Sequence, residues 1–196
     1  MGSGAPQLIM IAGANGAGKS TNASAILPPS IPFLNADVIA RGLPDTSFSN
    51  KDIQSARLLF EEWDELARQR ADFAVETTLA SRSLAGRVAR LSASGYQFHL
   101  IIFWLASADL AIERVAERVR RGGHDIPSET IRRRYAHGLH NFFAFYQPLA
   151  DSWSIFDNTT VGISRLVAIG QHRDIVQVYE PTVWQRIRKA GANGEE

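Results

Sequence analysis

Eight residues near the N-terminus, Gly13, Ala14, Asn15, Gly16, Ala17, Gly18, Lys19 and Ser20, follow the spacing G-x-x-x-x-G-K-[ST]. Small side chains let backbone N–H groups turn inward on an anion. A helix starting at the end of such a loop adds its partial positive charge. The Lys19 ammonium then reaches the β- and γ-phosphates of a nucleotide, and the Ser20 hydroxyl suits Mg²⁺. The expectation is ATP held by residues 13–21, Thr21 included, with Mg²⁺ on Ser20.

Two carboxylates stand where an acceptor would be. Asp37 follows the apolar run "FL" in "FLNAD". It is placed either to take a proton from an attacking hydroxyl or to cap the short helix "VIARGL". Glu76 ends "FAVE" and is followed by Thr77 and Thr78. It could hold a substrate hydroxyl, order Mg²⁺ through water, or cap the next helix. Thr77 and Thr78 are candidates for the same substrate wall.

The arginines are concentrated further on. Arg114, Arg118 and Arg121 share one helical face by their spacing. "GGHDIP" follows, and then Arg132, Arg133 and Arg134 within one turn. Two arginine groups around a glycine-rich segment predict a lid over phosphates, where arginine stabilises transferring charge. Pairing with Glu113, Glu117 and Glu129 accounts for Arg114, Arg120 and Arg132 as a solvated face. His124 is read as a surface or hinge residue. The aromatic run 141–146 is read as core.

These residues need a scaffold, and the pattern supplies one. Strands are predicted at 8–13, 33–35, 72–76, 96–105 and 153–157. Helices are predicted at 19–26, 50–70, 81–94, 107–121 and 128–147. In the helix 50–70, Ile53, Leu58, Leu59, Trp63 and Leu66 form the inward face. A terminal hairpin and a helix over 182–189 complete the chain. Alternating strands and helices predict an α/β fold of three layers: a largely parallel central sheet, helices on both faces and an arginine-rich lid at about 114–135. A single domain is expected over 5–190. Residues 1–4 read as a disordered or cloning-derived start, and 191–196 as a flexible tail.

Composition narrows the partners. The chain of 196 residues carries a formal charge of +1, too small to argue for a polyanion partner. Eighteen arginines against three lysines suit phosphate handling, and equally a GC-rich genome. Absence of cysteine excludes disulfides, thiolate zinc sites and a thiol nucleophile. No run approaches the length of a membrane span, so a cytoplasmic protein is expected.

Taken together, "GANGAGKST", "FLNADVIARGL", "FAVETTLAS", "GYQFHLIIFWL", "AIERVAERVRRGGHDIPSETIRRRY" and "FDNT" resemble the zeta toxin family of P-loop kinases. The likeness runs from Gly13 to about Asn158. It implies Lys19 and Ser20 on ATP and Mg²⁺, Asp37 as general base and Glu76 on the acceptor sugar. Lid arginines would stabilise the transferring phosphate, Arg118, Arg121 and Arg134 foremost with Arg132 and Arg133 as alternatives to Arg134, and Asn158 would lie near the nucleotide base. It further implies UDP-N-acetylglucosamine as acceptor, toxicity, and a small helical antitoxin as partner. Beside it stand a kinase for another small hydroxyl metabolite or nucleotide, and a nucleotide-dependent regulator or nucleic-acid-binding module.

Overall fold

The computed structural model describes residues 4–43 and 51–192. β1 (Gln7–Ala12) leads through the glycine loop to α1 (Lys19–Ile26). β2 (Phe33–Leu34), α2 (Ala36–Gly42), α3 (Lys51–Arg68), β3 (Phe73–Thr77) and α4 (Ser83–Ala93) follow. The second half holds β4 (Gln97–Trp104), α5 (Ala108–Arg120), α6 (Ser128–Asn141), β5 (Ser152–Asp157), β6 (Arg165–Gln171), β7 (Asp174–Val178) and α7 (Pro181–Ala192).

Among the described residues the strands form one sheet in the order β2-β3-β1-β4-β5-β6-β7. The first five are parallel and the last two antiparallel. The chain leaves β1 toward one edge and later returns to its other side at β4. That reversal opens a crevice at the carboxyl end of β1, where open α/β sheets bind ligands. The expected α/β fold with a largely parallel sheet and helices on both faces is therefore present.

Alternation along β1 explains the layering. Leu8 and Met10 join one core with Trp63 of α3, Val88 of α4, and Trp184 and Ile187 of α7. Ile11 faces the other way, with Ala23 of α1, Val115 of α5 and Ile131 of α6. Trp63 meets Phe73 edge-on at 5.1 Å, and Trp153 stacks on Trp184 at 5.8 Å.

Several local expectations are corrected. Ile53 is 71% exposed, although it was counted with the inward face of its helix. Ten residues separate it from Trp63, which turns it roughly 80° away. The expected start of that helix at Asn50 lies outside the described residues. The helix 128–147 ends at Asn141; Phe142–Tyr146 widen into a π-helical turn and Gln147–Leu149 form a 3₁₀ turn containing Pro148. The aromatic run is core, with Phe142 and Tyr146 fully buried. Gly191 and Ala192, expected in a tail, belong to α7, and Gly191 sits flat against the Phe143 ring. Among the described residues no helix is long and apolar enough to cross a membrane.

Gly170 of β6 lies opposite Trp153 of β5. A Cβ there would stand 2.1 Å from Trp153 Cζ2 and 2.3 Å from the Asp174 carbonyl. Gly170→Ala is therefore expected to destabilise the protein by about 1–3 kcal/mol through overpacking. Chemical denaturation measures the loss; unchanged stability contradicts the packing.

Candidate active site

The loop after β1 is shaped from behind as much as from in front. Gly13, Gly16 and Gly18 all have positive φ. At Gly13 a Cβ would lie 2.2 Å from the Phe103 carbonyl oxygen of β4, and at Gly18 2.7 Å from Asn158 Nδ2. Glycine is thus required there to seat the loop on the sheet, besides leaving its N–H groups open to an anion.

Lys19 opens α1 and is only 7% exposed. Its ammonium donates to the Ala14 carbonyl at 3.1 Å and lies 3.6 Å from Glu76 Oε1. Burial pushes its pKa below the usual lysine value. Glu76 and Asp37 oppose that shift, and the nearby Arg118 charge adds to it.

Glu76, at the end of β3, collects the neighbouring donors. Its Oε2 accepts from Ser20 Oγ at 2.7 Å and from Asn35 Nδ2 at 2.8 Å. Asn35 is one residue that sequence reasoning missed. It caps α2, with Oδ1 accepting from the N–H groups of Asp37 and Val38 at 2.9 and 3.2 Å. The capping alternative for Asp37 is corrected accordingly. Asparagine immediately before a helix was a readable cap signal. The Asp37 carboxylate lines the cleft with no hydrogen bond among the described residues, while its charge acts on Lys19.

The cleft measures about 380 Å³ and joins Lys19, Asp37, Glu76, Thr77 and Thr78 to Arg133, Arg134 and His137 of α6. The approach of α6 depends on Gly138, where a Cβ would stand 2.6 Å from the Thr78 carbonyl oxygen. Thr77 Oγ1 accepts from the Leu79 N–H at 3.0 Å, which turns the chain out of β3.

The arginines divide. Arg134 reaches the loop, 3.4 Å from Asn15 Oδ1. Arg118 donates to the His124 carbonyl at 2.8 Å while its buried Nε has no hydrogen-bond partner among the described residues. Arg121 is not brought to the loop. It is exposed and held by Glu117 through Nε at 2.9 Å and Nη2 at 2.8 Å. Arg120 also pairs with Glu117, as expected. Arg132 pairs with Asp109 instead of Glu129, and Arg114 donates to the Thr159 carbonyl at 2.8 Å. Arg133 and His137 join the cleft without having been singled out as site residues. Their spacing of four, on the face that also carries Arg134, was the available signal. His124 is exposed, in the turn between α5 and α6.

Asn158 lies against the glycine loop. It is 7% exposed, donates to the Ala17 carbonyl at 2.6 Å and accepts from Ser164 Oγ at 2.7 Å. Its amide braces the glycine loop from behind. Thr21 is exposed on α1.

Comparison with known proteins follows this geometry. Residues 8–138 match the AAA domain family AAA_33. An uncharacterized protein of Haemophilus influenzae is 27% identical over 127 residues, covering 65% of this chain and 91% of that protein. A chain from the AvrRxo1-ORF1:-ORF2 complex with ATP superposes with a TM-score of 0.76 at 16% identity, over 94% of this chain. This chain spans 64% of the length of that one. A structure from the PezAT chromosomal toxin-antitoxin system of Streptococcus pneumoniae superposes with a TM-score of 0.66 at 11% identity, covering 99% of this chain and 86% of that one. Identities this low speak for a shared fold. The motifs resemble zeta toxins, whereas the family that matches is the AAA domain. That match spans more than half of the chain, from β1 into α6, so the chain belongs to the AAA domain family AAA_33, with a P-loop kinase-like fold.

Proposed function

We propose that the protein is an ATP-dependent kinase acting on a hydroxyl of a small molecule. The observation that carries this reading is one cleft holding the Lys19 ammonium, the Glu76 carboxylate and an Asp37 carboxylate with no hydrogen-bonded partner among the described residues. An exposed carboxylate whose charge acts on Lys19 stands where it can take the proton of an acceptor hydroxyl.

In this reading the glycine loop and Lys19 bind the β- and γ-phosphates. Asp37 accepts the proton of the acceptor hydroxyl as that oxygen bonds to the γ-phosphorus. The bond to the β–γ bridging oxygen breaks, and ADP leaves. Ser20 and Glu76 present a hydroxyl and a carboxylate oxygen, a hard donor set that fits Mg²⁺. When bound there, Mg²⁺ neutralises phosphate charge. Arg118 and Arg134 stabilise the charge of the transferred group as the segment 114–135 closes as a lid over residues 13–21.

The finer reading is a cytoplasmic, zeta-like toxin that phosphorylates a UDP-activated amino sugar such as UDP-N-acetylglucosamine and is restrained by an antitoxin. The motif resemblance supports it. So does a fold shared with structures described as PezAT toxin-antitoxin and AvrRxo1-ORF1:-ORF2. The domain is taken as 5–190.

Incubation with ATP, Mg²⁺ and a metabolite extract is expected to add one phosphate to a small molecule, read by mass spectrometry. Asp37→Asn should keep ATP affinity and lose phosphoryl transfer by at least about 10²-fold. Turnover near wild type in that variant removes Asp37 as base. Arg118→Ala should lower kcat by about 10³-fold. Arg121→Ala, whose guanidinium is spent on an exposed ion pair, should change it by less than about threefold. Equal losses in the two variants contradict this division of the arginines.

A further inference from the structure

Asp37, the base of the proposed reaction, stands on a lightly anchored element. It belongs to α2, which is seven residues long and has no fully buried residue. Ala36 and Ile39 of that helix pack against the core in part. The strand that leads into it, β2, is two residues long and lies at the edge of the sheet. It pairs with β3 through Phe33 opposite Ala74 and Leu34 opposite Val75. A catalytic group has to be held within about 0.5 Å of its productive geometry. Two rungs of an edge ladder and a half-buried helix are a loose support for that.

Asn35 supplies a fixed point. One further step of the parallel register sets it beside Glu76. Its side chain is buried, with the residue only 4% exposed. Both ends of the amide are used. Nδ2 donates to Glu76 Oε2 at 2.8 Å, the oxygen that also accepts from Ser20. Oδ1 accepts from the N–H groups of Asp37 and Val38. The amide is planar and rigid. One group therefore ties the backbone of the base to the carboxylate beside Lys19.

Capping alone does not call for asparagine. Aspartate and serine cap a helix about as well. Aspartate, when ionised, has no donor to offer Glu76, and serine carries donor and acceptor on a single atom. Asparagine carries them on two atoms, so the helix and the carboxylate are bonded at once. Asp37 and Glu76 also have the same sign of charge, and both act on Lys19. A neutral donor between them holds Glu76 without adding a third negative charge.

We propose that Asn35 is a positioning residue for phosphoryl transfer, which fixes the Asp37 base relative to the Glu76 carboxylate through the two ends of its amide. The proposal rests on the reading of the cleft as a kinase site with Asp37 as base. Loss of the Nδ2 donor frees Glu76 to turn and lets α2 shift against β3. The base then moves relative to the γ-phosphate, and misplacement of a reacting group is costly in rate.

The test compares the full chain as wild type, Asn35→Asp and Asn35→Ser. Both variants keep an acceptor for the N–H groups of α2 and lose the amide donor to Glu76. ATP labelled at the γ-phosphate is supplied at saturation with Mg²⁺ and the metabolite extract, and label entering small molecules is measured. A fluorescent, non-hydrolysable ATP analogue reports nucleotide affinity separately. Each variant is expected to transfer label at least about tenfold more slowly than wild type. Analogue affinity should stay within about threefold of wild type. A wild-type rate in Asn35→Asp shows that the cap suffices and overturns the proposal. A wild-type rate in Asn35→Ser shows that the amide donor is not needed and overturns it as well. Equal losses of rate and of analogue affinity assign Asn35 to support of the nucleotide site and overturn its link to transfer. If the new carboxylate prevents Asn35→Asp from folding, Asn35→Ser decides alone. No label transfer by the wild type defeats the kinase reading itself and takes the proposal with it. That outcome is distinct from an active wild type whose variants match it.

Discussion

The carboxylate of Glu76 is the contact on which the cleft depends. It lies at the end of β3 and accepts from Ser20 at the start of α1 and from Asn35 before α2, with Lys19 alongside. Three segments of chain are thereby tied to one group. Burial makes this arrangement compulsory. An ammonium as enclosed as Lys19 is unfavourable without an opposite charge nearby, and Glu76 is that charge. Removing it would leave the ammonium buried and uncompensated, which is worse than never having built the pair.

Close backbone approach is the second constraint. The glycine loop rests directly on the Phe103 carbonyl and on Asn158, so its curvature is imposed by β4 and the chain after β5 as well as by its own composition. Gly138 does the equivalent for α6, bringing the helix down onto the exit of β3. The contacts at Phe103 and at Thr78 are with main-chain atoms, which cannot swing aside as a side chain can. That stiffness is what an electrostatic site requires, since donors and charges must be in place before the reacting groups arrive.

Charge is distributed along α6 in keeping with this geometry. Its first turns bring Arg133 and Arg134 to the cleft, and its later turns carry histidines to a pocket without carboxylates.

Much of this was legible in the residues. The strands and helices follow hydrophobic periodicity, a property of neighbours in the chain. The loop at 13–20 follows from glycine spacing and a lysine, so the anion-binding end was readable locally. Asp37 and Glu76 could be placed at strand ends for the same reason. Whether Asp37 capped a helix or faced the cleft could not be settled, because a second candidate, Asn35, stood two residues earlier and took the cap. The arginines were countable but could not be assigned. Arg121 meets Glu117 on its own helix, Arg132 meets Asp109 on another, and Arg134 reaches Asn15 more than a hundred residues away. A guanidinium at the end of a long side chain takes the partner that packing puts opposite it. Asn158 shows the same limit, since both ends of its amide are claimed by contacts of the folded loop. The order of residues therefore established which elements form and which chemical groups are present. The stacking of α5 and α6 over the carboxyl ends of the strands decided which groups meet, because long-range side-chain contacts depend on how the layers pack and leave no periodic trace in the chain.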